Sequence, residues 1–160
     1  MNTLLVYSSK YGCTEKCVKT LSKELKDKVD LINLKNAEDI DVLKYDNVII
    51  GGSIYIGRIQ KEVVEFCSKN LGILKEKRIG LFICGMQEGE VIKSELKNSF
   101  PPELFNIAVA KEHFGGEFKF EKMNFMERLI VKGVSKISSD RSHILKDNIN
   151  RFAQAMNSAP

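Results

Sequence analysis

The 160-residue sequence predicts an α/β domain built on a parallel sheet with helices on both faces. Three observations carry this. Short apolar runs alternate with segments in which apolar residues recur at helical spacing. The runs LLV, VII and LFI are continuously apolar, as strands buried on both faces require. Loops of small residues and glycine follow the first, third and fourth runs, where the chain must leave the sheet.

Thr3 to Tyr7 (TLLVY) reads as the first strand, and after a polar loop Cys17, Val18, Leu21 and Leu25 fall on one helical face. Val29 to Leu34 and Asn47 to Gly51 are the second and third strands, short and rich in β-branched residues. Val63, Cys67, Leu71 and Leu74 mark a helix, Arg78 to Cys84 the fourth strand, and Glu90 to Leu96 a short helix. Ile107 to Phe114 reads as the fifth strand. Leu145, Ile149, Phe152 and Met156 form the core face of a last helix, with Ser139 or Asp140 as its N-cap. The segment at about 119–138 exceeds this minimal pattern. It sets Met126, Leu129, Ile130, Val134 and Ile137 against Lys122, Arg128, Lys132 and Lys136, an amphipathic helix that packs on the sheet or lies on an anionic membrane surface.

A hydrophobic fraction of 43% and a charged fraction of 29% fit one soluble globular domain over residues 1–160. No stretch approaches the ~20 apolar residues needed to cross a bilayer, so a cytoplasmic location is expected, with peripheral membrane contact left to the 119–138 segment. The net charge of +4 is dispersed, without the basic stripe or aromatic platform of a nucleic-acid binder. Cys13, Cys17, Cys67 and Cys84 fall in apolar-periodic segments and read as buried small hydrophobes. Cys13 and Cys17 lie one helical turn apart, but two ligands do not make a zinc site. His113 and His143 read as structural or solvated.

In an open parallel sheet the ligand crevice lies outside the carboxyl ends of the strands. The first loop there is Ser8-Ser9-Lys10-Tyr11-Gly12-Cys13-Thr14, between a strand and a helix. Small hydroxyl residues and a glycine let amides converge on an anion, and the helix N-terminus adds partial positive charge. A capping loop whose serines only satisfy backbone donors would use the same residues. The second loop is Gly51-Gly52-Ser53-Ile54-Tyr55-Ile56-Gly57-Arg58, with Gly57 suited to a positive φ, and the third starts Cys84-Gly85-Met86-Gln87-Glu88-Gly89. Their glycines permit close backbone approach to a flat ring, or make two tight turns. Neither the G-x-x-x-x-G-K-[ST] nor the G-x-G-x-x-G pattern occurs, which argues against P-loop and dinucleotide-binding readings.

YSSKYGCT (Tyr7 to Thr14) and GGSIYIGRI (Gly51 to Ile59) resemble the phosphate loop and the loop after strand three of flavodoxin-like proteins, most closely the menaquinone-dependent protoporphyrinogen oxidase branch. FGGEF (Phe114 to Phe118), followed by MERLIV, resembles that branch's extra segment before the last helix. The resemblance implies a flavodoxin-like three-layer sandwich with a five-stranded parallel sheet in the order 2-1-3-4-5. It implies FMN as cofactor, held by Ser8, Ser9, Lys10, Tyr11, Gly12, Cys13 and Thr14, by Ser53, Ile54, Tyr55, Ile56 and Gly57, and by Cys84, Gly85, Met86 and Gln87. No side chain demands an acid or base role, and no metal is implied. The implied activity is porphyrinogen oxidation with a quinone as acceptor, with electrons drawn from a small-molecule donor. The alternative is an electron carrier that serves a redox partner protein and has no substrate of its own. The chain departs from the branch at Ile56, where a tyrosine is usual, and at Met86, Gln87 and Glu88, where basic residues are usual. It departs from electron carriers in having no Trp and no aromatic residue in the third loop, which leaves one ring face open.

Overall fold

The computed structural model describes residues 1–10, 12–118 and 141–158. The expected amphipathic segment at 119–138, the N-cap candidates Ser139 and Asp140, and Tyr11 of the first loop therefore lie outside the described residues.

The chain runs β1 (Asn2–Ser8), α1 (Cys13–Glu24), β2 (Lys28–Asn33), β3 (Asn47–Tyr55), β4 (Arg58–Ile59), α2 (Lys61–Leu74), β5 (Arg78–Cys84), α3 (Gly89–Asn98), α4 (Pro102–Ile107), β6 (Ala110–His113), β7 (Gly115–Phe118), β8 (Arg141–Ile144) and α5 (Lys146–Asn157). A single 3-10 turn at Val42–Lys44 takes the place of a helix between β2 and β3. Five strands pair in parallel in the order β2-β1-β3-β5-β6. With the two-residue β4 set aside, this is the expected 2-1-3-4-5 order of a flavodoxin-like fold.

Side chains alternate across each strand, so the apolar runs feed two cores. Leu4, Val6, Val48, Ile50, Leu81 and Ile83 meet Val63, Phe66, Cys67 and Leu74 of α2 on one face. Leu5, Ile49 and Phe82 meet Cys17, Val18 and Leu21 of α1, and Ile149, Phe152 and Met156 of α5, on the other. Phe82 stacks on Phe114 with ring centroids 4.7 Å apart, and Phe152 meets both rings edge-on. This cluster explains Gly51, because a Cβ there would lie 2.1 Å from the Phe82 ring. The Arg78 guanidinium donates to the carbonyls of Ala155, Met156 and Ser158, satisfying orphan acceptors at the end of α5.

The structure corrects three sequence expectations. The fifth strand is Ala110–His113, not Ile107 to Phe114, because Pro102 starts a helix that ends at Ile107. The third strand continues through Tyr55 and folds back on β4, turning most of the expected second loop into a hairpin. The last helix begins at Lys146 with Leu145 as N-cap, not at Ser139 or Asp140, because Arg141–Ile144 is used as a strand. That strand, β8, pairs antiparallel with β7, the FGGEF segment, as a separate two-stranded ribbon.

Candidate functional site

The loops after β1, β3 and β5 meet at the carboxyl end of the sheet and enclose a crevice of about 430 Å³, part of it open to solvent. In the first loop Gly12 is the N-cap of α1, held at φ 91°, with no side chain capping the helix. Its amide instead donates to Ser9 Oγ at 3.0 Å. A helix start without a side-chain cap leaves first-turn N–H groups for an anion. Thr14, the second residue of α1, is fully buried and its Oγ1 has no hydrogen-bond partner among the described residues. An unpaired buried hydroxyl costs about 1–3 kcal/mol, so this residue fits a ligand better than it fits an empty loop. Ser8 is also fully buried, and its hydroxyl donates to Glu62 Oε2 at 3.3 Å, tying the loop to α2. Lys35 Nζ donates to the Ser9 carbonyl at 2.5 Å.

The second wall is β3 and its hairpin. Ser53 is fixed twice by Gln60, whose Oε1 accepts from the Ser53 amide at 2.9 Å and whose Nε2 donates to the Ser53 hydroxyl at 2.6 Å. Gly52 makes room for that side chain, since a Cβ there would lie 2.7 Å from Gln60 Oε1. Ser53, Ile54 and Tyr55 line the crevice, with Lys10 Nζ 3.9 Å above the Tyr55 ring, a cation–π contact. Ile56 and Gly57 form the hairpin tip, with φ of 49° and 74°. Ile56 is exposed, and neither residue lines the crevice.

The third wall combines Cys84, Gly85 and Met86 with Gly116 and Glu117 of β7, docked by a hydrogen bond from the Gly85 amide to the Gly115 carbonyl at 2.8 Å. The fit is tight, since a Cβ on Gly116 would lie 2.6 Å from Met86 Sδ. The Glu117 side chain is only 3% exposed, and Lys16 Nζ of α1 donates to its Oε1 at 2.7 Å. That bond raises the Lys16 pKa. A second cavity, about 960 Å³ including space open to solvent, shares Gly85, Met86 and Gly116 with the crevice and is also lined by Gln87, His113 and His143. Burial lowers the His113 pKa.

The fold therefore brings Ser9, Lys10, Cys13, Ser53, Ile54, Tyr55, Cys84, Gly85 and Met86 into one crevice. It places Ser8 and Thr14 in the buried base of the first loop and Gln87 in the adjoining cavity, and it turns Ile56 and Gly57 away. Sequence reasoning missed Lys16 and Glu117, whose contact spans 101 positions of the chain. The FGGEF motif was a signal for β7, but nothing local says which wall it joins. It also missed Cys84 as a neighbour of Cys13 and Cys17. Hydrogen bonds from the Cys17 and Cys84 thiols lower the Cys13 pKa to about 4, and hydrogen bonds with Cys13 and Cys17 push Cys84 up. Cys67 lies on the opposite face of the sheet, where burial alone lifts it to about 12.

The residues fit FMN, the cofactor of flavodoxins. The uncapped α1 and the unpartnered Thr14 hydroxyl suit its phosphate, and the glycine-bearing walls suit a flat ring. Comparison with known proteins agrees with this architecture. The chain is 23% identical to the protoporphyrinogen IX dehydrogenase [quinone] of Escherichia coli over 92% of its own length and 86% of that protein. It is 18% identical to the enzyme of the same name from Leishmania major, of which it spans 66%. Among solved structures, a short-chain flavodoxin associated with a bacterial microcompartment superposes with a TM-score of 0.62 over 99% of both chains at 15% identity. A Streptococcus pneumonia flavodoxin superposes with a TM-score of 0.59 over 98% of this chain and 97% of that one, at 17% identity. The flavodoxin domain model matches residues 4–144, and with that span covering the five-stranded parallel sheet from Leu4 onward and all three walls of the crevice, the chain belongs to the flavodoxin domain family.

Proposed function

We propose that this chain binds one FMN in the crevice and works as a flavin-dependent oxidoreductase of the protoporphyrinogen dehydrogenase type, drawing electrons from a small reduced substrate and delivering them to a quinone. The observation that carries the reading is the second cavity. It shares the Gly85, Met86 and Gly116 wall with the crevice and gives a second molecule room beside the cofactor.

Bound FMN supplies the capacity to take up two electrons and release them singly or in pairs. The chain's residues bind and orient. The N-terminus of α1 and the Thr14 hydroxyl hold the phosphate, and Gln60 fixes Ser53 on the rim. Met86 and Gln87 stand where carriers place an aromatic cover, so a substrate has access to the ring. His113, kept neutral at pH 7 by its lowered pKa, faces the second cavity as an uncharged hydrogen-bonding group. In this reading the basic 119–138 segment brings the protein to the membrane surface where quinones reside.

The electron-carrier reading is favoured by one observation, the end-to-end superposition on two flavodoxins. Oxygen-free assays of the FMN-loaded protein with protoporphyrinogen and menaquinone separate the two. A rate above background supports the enzyme. No rate, together with a long-lived one-electron stage during photoreduction, would assign the chain to the carriers.

A further inference from the structure

Three thiols converge behind the crevice. Cys13 and Cys17 stand one turn apart on α1, Cys84 ends β5, and their sulfur atoms all lie within 4.8 Å of one another. They are 6%, 0% and 1% exposed, and none is in a disulfide. We propose that this triad is a binding site for one soft, thiophilic d10 metal ion, such as Zn(II), Cd(II) or Cu(I), held by three thiolates.

The geometry is close to what such an ion needs. Metal–sulfur bonds of about 2.3 Å put three sulfurs in a trigonal set roughly 4 Å apart. A triad already within 4.8 Å needs only small side-chain rotations to close. All-sulfur donors select soft ions over magnesium or calcium. A disulfide would consume two of the thiols and leave the third without a role. Simple packing looks different in this protein, since Cys67 sits alone among apolar side chains on the other face of the sheet.

The Glu117 carboxylate acts electrostatically on Cys13 and Cys17, and so does the Lys16 ammonium paired with it, so the charge that holds the ion is that of the three thiolates themselves. An entering ion displaces the thiol protons, so loading releases protons and strengthens with rising pH. Cys13 and Cys84 line the crevice, which gives the ion an entry path from the cofactor side. FMN in place would close that path, so the ion loads first. The site itself does not require the flavin reading to hold.

The test is a Cd(II) titration of reduced, FMN-free, full-length protein without oxygen. One equivalent should bind, with an ultraviolet sulfur-to-cadmium charge-transfer band of three-thiolate intensity and with proton release. C67S should behave as wild type. C17S should bind Cd(II) more weakly by over the ~10–100-fold that loss of an outer-shell partner costs. Absence of the band, or equal binding by C17S, would overturn the proposal. If C17S does not fold, cadmium NMR of the wild type decides: a resonance typical of sulfur coordination supports the site, and one typical of oxygen coordination overturns it. A disulfide among these cysteines whose reduction restores no Cd(II) binding would identify a redox pair instead.

Discussion

Thr14 combines complete burial with an unpartnered hydroxyl at the start of α1. Thr14→Val keeps the shape and removes that group. FMN-free protein should then melt at the same temperature or higher, because a desolvated, unpaired hydroxyl has gone. FMN should bind about 10–100-fold more weakly, the equivalent of one charge-assisted hydrogen bond of roughly 1.5–3 kcal/mol. Fluorescence titration with FMN reads the second effect, and unchanged affinity would place the phosphate elsewhere. Glu95 of α3 makes a different case. Burial lifts its carboxyl above the ordinary value of 4.5, and its Oε1 is buried without a partner. The folded state therefore binds the proton more tightly than the unfolded one, so the stability this group contributes is present below pH 4.5 and is lost as pH rises through the folded pKa. Glu95→Gln should raise the melting temperature at pH 7 by about 1–2 °C, a small effect because the side chain is still partly solvated. The gain should vanish in melts run below pH 4.5.

At the level of elements, the β3–β4 hairpin turns on Ile56-Gly57, both at positive φ, the pattern of a type I′ turn. A β-branched residue is unfavourable there, by roughly 1–3 kcal/mol. Ile56→Asn should raise the melting temperature by about 2–4 °C, read by calorimetry. The same hairpin shows what could be read along the chain. The first strand–loop–helix junction was legible because strand, small residues and helix start are contiguous. Gly57 was legible because its φ is a local demand. The extension of β3 through Tyr55 was not, since GGSIY looks like a loop until Arg58–Ile59 folds back to pair with it. The β7–β8 ribbon and the third thiol were illegible for a stronger reason. Phe118 pairs with Arg141, and Cys84 reaches Cys13 only when β5 packs beside α1. Periodicity reports burial but not which distant strand shares it.

Among the described residues, the loops that line the crevice lie at one end of the sheet. FMN that binds only the folded state should stabilise it by about 2.7 kcal/mol at a hundredfold excess over Kd. For a chain of this size that corresponds to roughly 5–10 °C in melting temperature, and no shift would argue against a cofactor in the crevice. None of the described helices is long and apolar enough to cross a membrane.

The Lys16–Glu117 contact also sets a timetable. Strands β1, β2 and β3 lie within the first 55 residues and can pair with one another as soon as they leave the ribosome. The wall that carries Glu117 pairs with β8 (Arg141–Ile144), which follows β6, the last strand of the parallel sheet, in the chain. A nascent chain can thus hold a nearly finished sheet while its crevice still lacks one side. Cofactor capture then waits for β8 to emerge, and ribosome-bound chains stalled before Arg141 should carry no flavin.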